Sequence, residues 1–376
     1  MWGTDGAGRR RALGLALMAL FGAALPAWAQ PVGEPQQKAP GSLRFATFNA
    51  ALSDDAPGAV LERLRAGGDP QVRLVVETIQ RAAPDVLVLQ ELDRDEAGEA
   101  LTLMREALRT GEGGAEGIDY PHSLFPVSNT GVPSGVDLDG DGVAAGPRDA
   151  KGFGHHPGHY AFALLSRFPV DDVRTFGGLL WRDVPGALIP DGYYSAEALA
   201  VLPLSSKTHL MARIATPAGP VTVIAAHPTP PVFDDPAIDW NGRRNADEIR
   251  LLVDLLDPRG GGYAVDDAGV AGGLAPGAAA VVMGDLNADP ARGDSRPGAV
   301  ARLLDAPGAV PVTPLGARTA ATAEFGGGLR VDYVQPFGPL AVTGAGVFWP
   351  ADGRPLARLA PASDNRLVWV DVTAAP

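Results

Sequence analysis

Apolar and polar residues follow two different periods along this chain. Val72, Val75, Val76, Ile79 and Ala83 recur at i, i+3, i+4, i+7 and i+11. That spacing makes one stripe on a cylinder and predicts a helix over Val72–Ala83. Pro84-Asp85 stops it, and VLVLQ follows as an unbroken apolar run of the kind buried on both faces of a sheet. Short β-prone runs recur at Leu43–Ala50, Ala161–Leu165, Thr208–Ile214, Val221–Ala226, Ala279–Gly284, Arg330–Val334 and Arg366–Val372. Helical patterns return at residues 94–109 and at Arg243–Leu256. Residues 110–158 are rich in Gly and Pro without periodicity and read as one long loop, a type often functional. Gly260–Ala278 reads as a mobile Gly/Ala-rich surface excursion. Nothing divides the series into repeats or separate cores. The alternation predicts one α/β domain of two packed sheets with helices outside.

The N-terminus breaks this pattern. Arg9, Arg10 and Arg11 precede an apolar run from Ala12 to Leu25, and Ala27-Trp28-Ala29 follows. A basic segment, a short apolar segment and a small-residue motif, in that order, read as a cleaved secretory signal over residues 1–29. The apolar run is too short to span a bilayer, and no later stretch is long and apolar enough to do so. Residues 30–42, rich in Pro, Gly and Gln, read as a flexible linker, and residues 43–373 as the folded domain. The mature chain is expected to be an exported monomer, periplasmic or secreted, with no transmembrane span.

Composition narrows the chemistry. The chain has 376 residues and a net charge of −13, and removing residues 1–29 takes that to −15. Such acidity argues against coating nucleic acid by charge alone. The absence of Cys excludes a disulfide scaffold, a thiolate metal site and a Cys nucleophile.

Five apolar strands end in a carboxylate, amide or imidazole: Asn49 in ATFNA, Glu91 in VLVLQE, His227 in VIAAHPTPP, Asp285 and Asn287 in VVMGDLN, and Asp364 in ASDNR. Each alone has an ordinary explanation as a cap, a turn or a packed loop residue. Together they supply the parts of phosphoester hydrolysis at strand ends, where sheets support ligand sites. Glu91 and Asp364 suit a hard cation such as Mg²⁺ or Mn²⁺. Asp285 can orient and deprotonate water. Asn49 and Asn287 can donate to phosphate oxygens, and His227 can stabilise developing charge.

At these residues the chain resembles the endonuclease/exonuclease/phosphatase superfamily. The matches TFN, LQE, AHPTPP, GDLNADP, RVDYV and SDNRLVWVDV run in the family's order from residue 43 to residue 372. RNADEIRLL, NTGVPSGVDLDGDG and GVFWP further resemble an exported bacterial branch. The resemblance implies a four-layer α/β sandwich and a metal-dependent hydrolase of a phosphodiester or phosphomonoester. The substrate would be nucleic acid, a phospholipid head group or a small phosphate ester. It assigns metal to Asn49, Glu91 and Asp364, water activation to Asp285 with Asn287, and phosphate binding to His227. It also pairs Asp332 with a histidine after Asp364. Position 365 is Asn instead. Asn365 can hydrogen-bond a phosphate oxygen but cannot carry charge or move a proton at neutral pH. Two further departures are Ala246, where the branch has His, and HPGHYAF at residues 156–162, where it has something closer to FPGQYGM. Either His156 or His159 has moved into the missing role, or activity has decayed. In the latter case the chain is a weakened relative that binds a phospholigand or serves as a structural module.

Three features stay open at this level. Asp137, Asp139 and Asp141 in DLDGDG match the opening of a calcium loop, but Arg148 stands at the twelfth position. Structural Ca²⁺ and a solvated acidic turn remain alternatives. His155, His156 and His159 are either a solvated loop or a transition-metal cluster, and His159 is also offered as a substrate contact. Arg244 either binds phosphate or solvates a helix start.

Overall fold

The computed structural model describes residues 33–257 and 259–375. The signal expected at residues 1–29 lies outside them. Among the described residues no helix is long and apolar enough to cross a membrane.

Among the described residues eleven strands form two mixed sheets. The first has the order β10-β11-β1-β2-β4-β3 and the second β5-β6-β7-β8-β9. In the first, β1 (Leu43–Leu52) runs parallel to β2 (Val86–Leu92) and antiparallel to β11 (Val368–Ala374). Beyond β11 lies β10 (Leu340–Val347), and beyond β2 lie β4 (Phe162–Ser166) and β3 (His122–Leu124). In the second, β5 (Val170–Thr175), β6 (His209–Thr216) and β7 (Gly219–Ala226) are antiparallel neighbours. There β8 (Ala280–Asp285) runs parallel to β7 and antiparallel to β9 (Asp332–Phe337).

Alternate side chains sort into separate cores, as the pleat requires. Phe45, Val86, Val88, Val223, Val281 and Val370 pack between the sheets. Ala46, Phe48, Leu87 and Leu89 face outward, under α1 (Ala59–Ala66), α2 (Pro70–Ala82) and α3 (Glu99–Arg109). Ile224 and Val282 face the other way, against Ile249 and Leu252 of α5 (Trp240–Asp254). Two short helices, α4 (Ala196–Val201) and α6 (Ala301–Leu304), add to that outer layer. The result is the expected four-layer α/β sandwich.

Differences from the expected elements have local causes. Asp69 caps α2 by accepting from the Val72 amide, and Pro70 opens it, so the helix starts two residues early. Asp95 accepts from the amides of Glu99 and Ala100, which delays α3 to residue 99. The unpredicted β5 and β10 are edge strands carrying polar or glycine positions, so they lack an apolar run. Residues 33–42 are not a free linker. Lys38 pairs with Asp85 at 2.5 Å, and the Gln36 carbonyl accepts from buried Arg44. Nor is Gly260–Ala278 loose: Asp266 pairs with Arg174 at 2.6 Å, and the Asp267 carboxylate accepts from the Gly177 and Gly178 amides.

Candidate active site

The polar strand ends meet at one edge of the sandwich. Asn49 lies late in β1 and Glu91 late in β2, next to a register shift between Asn49 and Leu52. Glu91 has φ +53° and Asn287 φ +52°, a left-handed geometry that turns both side chains at the ends of their strands. Gly284 precedes Asp285 with φ +152°, and a Cβ there would sit 2.0 Å from the Ala226 carbonyl oxygen. Only glycine lets β8 approach β7 so closely. Antiparallel register sets Asp332 of β9 directly opposite Asp285.

Asparagines tie the acids together. Asn49 Nδ2 donates to Glu91 Oε1 and to Asp285 Oδ2, both at 3.0 Å. Asn365 Nδ2 donates to Asp332 Oδ2 at 2.9 Å and to Asp285 Oδ2 at 3.3 Å. The Asn287 amide fixes Asp285 Oδ1 at 2.9 Å, and its side chain donates to the Pro228 carbonyl. Asn49 Oδ1 accepts from the Ala51 amide. Asn49 therefore orders two carboxylates through its amide nitrogen. Glu91, Asp285, Asn287, Asp364 and Asn365 line one cleft of about 370 Å³. Asp364 is exposed, whereas Asp285, Asp332 and Asn365 are buried.

Burial dominates the electrostatics. It pushes Glu91 up to about 7, with the Asp285 and Asp364 charges adding to it. Asp285 is raised by burial despite its hydrogen bonds. Asp332 is pushed well above the carboxylate range by burial and the Asp285 charge. His227 Nε2 lies 3.8 Å from Asp285 Oδ2 and 4.0 Å from Glu91 Oε1. Burial, with Lys207 adding to it, holds His227 well below its ordinary range, so the ring is neutral, and its buried Nδ1 has no hydrogen-bond partner among the described residues.

Lys207 escaped the sequence reading. It lies just before β6, and the pairing of His209 with Ala226 sets it beside His227. It is buried, and its charge acts on Glu91, Asp285 and His227. A lysine immediately before a predicted strand was the available signal, but it gains meaning only from the neighbouring strand.

Other candidates fall elsewhere. Arg244 is buried, with Nε and Nη2 donating to the carbonyls of Leu204, Lys151 and Pro203; it fastens loops rather than a phosphate. His159 is 1% exposed and stacked on Tyr160, so it is not a cleft contact. Neither His156 nor His159 hydrogen-bonds Asp332 or Asn365, so neither replaces the missing histidine there. In DLDGDG, Asp137 accepts from the Gly140 and Gly142 amides, and Asp141 turns to the Val143 amide. The acid that closes with Asp137 and Asp139 is Asp149, not Asp141.

Comparison with known proteins decides the family. The model of the endonuclease/exonuclease/phosphatase family matches residues 46–364. The chain belongs to that family. No curated protein sequence matches it. Among solved structures, it is similar to an endonuclease/exonuclease/phosphatase from Beutenbergia cavernae DSM 12333, with 19% identity and a TM-score of 0.52. That match covers 90% of this chain and 72% of the other. The human Nocturnin catalytic domain, with bound sulfate, is 14% identical with a TM-score of 0.47, covering 92% of this chain and all of that one. Sphingomyelinase C from Streptomyces griseocarneus is 15% identical with a TM-score of 0.45, covering 88% of this chain and 99% of its own. At such identities the likeness is one of fold, here the phosphoesterase fold of the endonuclease/exonuclease/phosphatase family.

Proposed function

We propose that this protein is an exported, divalent-metal-dependent phosphoester hydrolase that uses activated water. The observation that supports it is the Asp285 carboxylate, held from three sides by Asn49, Asn365 and the Asn287 amide at the wall of an acidic cleft. The basic, apolar and A-x-A segments of residues 1–29 support export.

The donors fit a hard cation. Glu91 and Asp364 face the cleft, and Mg²⁺ or Mn²⁺ needs only one or two carboxylates, with water and phosphate oxygens completing its shell. A burial-raised Glu91 is a group whose ionised form a divalent cation would hold. When bound, the ion would polarise the phosphoryl oxygens and neutralise charge as it develops.

The chain's own groups supply the rest. Asp285 accepts the proton of the water whose oxygen attacks phosphorus, and burial makes it a stronger base than a surface aspartate. Neutral His227 and buried Lys207 stand by the developing negative charge. Asn365 orients Asp285 and Asp332 but cannot give a proton to the departing oxygen. Esters with acidic leaving groups are therefore favoured, since these depart unprotonated. The test is turnover of bis(p-nitrophenyl) phosphate by chelator-stripped protein with added Mg²⁺ or Mn²⁺. We expect metal-dependent hydrolysis, reduced on the order of 100-fold or more in Asp285→Ala. No hydrolysis with any divalent cation, alongside retained metal binding, would replace this reading with that of a phospholigand-binding module.

A further inference from the structure

Behind the end of β2, a second group of ligating side chains is enclosed by the long loop before β4. Asp93, His156 and His159 are 6%, 9% and 1% exposed. One ligand atom from each lies within 4.8 Å of the other two. His156 Nε2 is 3.7 Å from Asp93 Oδ2, and the two imidazoles stack at 4.8 Å, 18° from parallel. The neighbouring His155 is half-exposed and faces Asp55 instead.

The scaffold around the cluster is rigid. Asp93 Oδ1 accepts from the Tyr160 amide and Oδ2 from the Asp54 amide. The turn between the histidines is locked to the same stretch of chain. The Gly158 carbonyl accepts from the Arg94 amide at 2.9 Å, and Gly158 has φ +87°. A Cβ on Gly158 would sit 2.2 Å from the Arg94 carbonyl oxygen. Backbone contacts thus present both imidazoles to Asp93. His159 Nδ1 accepts from the His155 amide at 3.1 Å.

We propose that Asp93, His156 and His159 form a second metal centre that takes Zn²⁺ or a cation of similar softness and clamps the long loop to the end of β2. Two imidazoles and one carboxylate are a zinc donor set, whereas Mg²⁺ and Ca²⁺ prefer oxygen alone. A tetrahedral ion with bonds of about 2.0–2.1 Å separates its ligand atoms by about 3.4 Å. The 3.7 Å between His156 and Asp93 is already close to that edge. Loading exchanges two hydrogen bonds for metal bonds: the His155 amide to His159 Nδ1, and His156 Nε2 to the Asp54 carbonyl. Water completes the shell, and the two amides on Asp93 hold its carboxylate in place.

The centre is separate from the acidic cleft and does not depend on hydrolysis, so its test reads binding and stability. Chelator-stripped protein is titrated with ZnCl₂ by calorimetry and followed by thermal melting, in wild type, Glu91→Gln, His155→Ala, His156→Ala and His159→Gln. We expect about one zinc equivalent beyond any held in the cleft and a zinc-dependent rise in Tm in wild type. Both should persist in Glu91→Gln, which disables the cleft, and in His155→Ala, which alters only the outer histidine. His156→Ala and His159→Gln should each lose on the order of 100-fold in zinc affinity and the rise in Tm. His159→Gln keeps bulk and polarity, so it reports on ligation even if His156→Ala fails to fold. A stripped wild type that takes up no zinc, or zinc binding that survives His159→Gln and is lost in Glu91→Gln, would overturn the proposal.

Discussion

Replacing Asn365 by His tests what the site lacks. The backbone at this position is pinned: its amide donates to Ser363 Oγ at 3.1 Å, its carbonyl accepts from Arg366 Nη1, and the next amide donates to the Thr322 carbonyl. The new side chain must therefore point where Asn365 points, toward Asp332 Oδ2 at 2.9 Å and Asp285 Oδ2 at 3.3 Å. Its Nδ1–H can keep the bond to Asp332, and Nε2 reaches one atom further into the cleft. An imidazolium about 4 Å from a carboxylate gains roughly 4 kcal/mol at an effective dielectric of about 20, offset by the cost of burying the cation and of ionising a carboxyl that burial has raised. The balance raises the histidine's pKa, so it holds a proton to give the departing oxygen. General-acid catalysis typically contributes 10²–10⁴-fold, and an unrefined geometry should realise roughly 10-fold or more. The gain should fade as pH rises through the raised histidine pKa. Bis(p-nitrophenyl) phosphate turnover from about pH 5 to 9, at saturating metal, reads this directly. A substrate with a poorer leaving group should gain more. A folded Asn365→His variant with wild-type turnover across that range would refute the reasoning.

Three further outcomes follow from the same geometry. Glu91 titrates at about 7 against an ordinary 4.5, so the native state retains a proton that the unfolded chain has released. Metal-free stability should therefore fall as pH rises from about 4.5 to 7, on the order of 3 kcal/mol. Urea melts of Glu91→Gln in chelator should lack that share of the slope, and parallel slopes would exclude it. Lys207→Met removes the cation that lowers Asp285 and Glu91. It should cut turnover on the order of 10²-fold and move the acidic limb of the pH–rate profile upward, whereas an unmoved limb would separate Lys207 from the site. Arg44 holds Asp371 through two bonds of 2.7 and 2.8 Å, with both side chains 3% exposed. Asp371→Ala strands that guanidinium and should cost about 3–5 kcal/mol in urea unfolding; a loss below about 1 kcal/mol would mean that the charge finds water.

Sequence alone carried whatever is local. A helical stripe such as Val72–Ile79 and an unbroken run such as VLVLQ report burial through their own period, and the strands they predict end in the polar residues that line the cleft. Family order along the chain added the layer arrangement and the roles expected of Glu91, Asp285 and Asp364. Edge strands β5 and β10 were invisible because a strand with one neighbour needs no apolar alternation. Tertiary structure alone decided which polar groups share a charge environment. Asn49 reaches Asp285 across 236 positions of sequence, and Asp93 meets His156 across 63. Lys207 joins the site because one strand pairing carries it there, while Arg244 and His159 leave it because backbone carbonyls and ring stacking claim them. Period and motif encode which face a residue buries. A pKa, a ligand set or a missing proton donor depends on what the folded chain brings within about 4 Å, and no local pattern contains that distance.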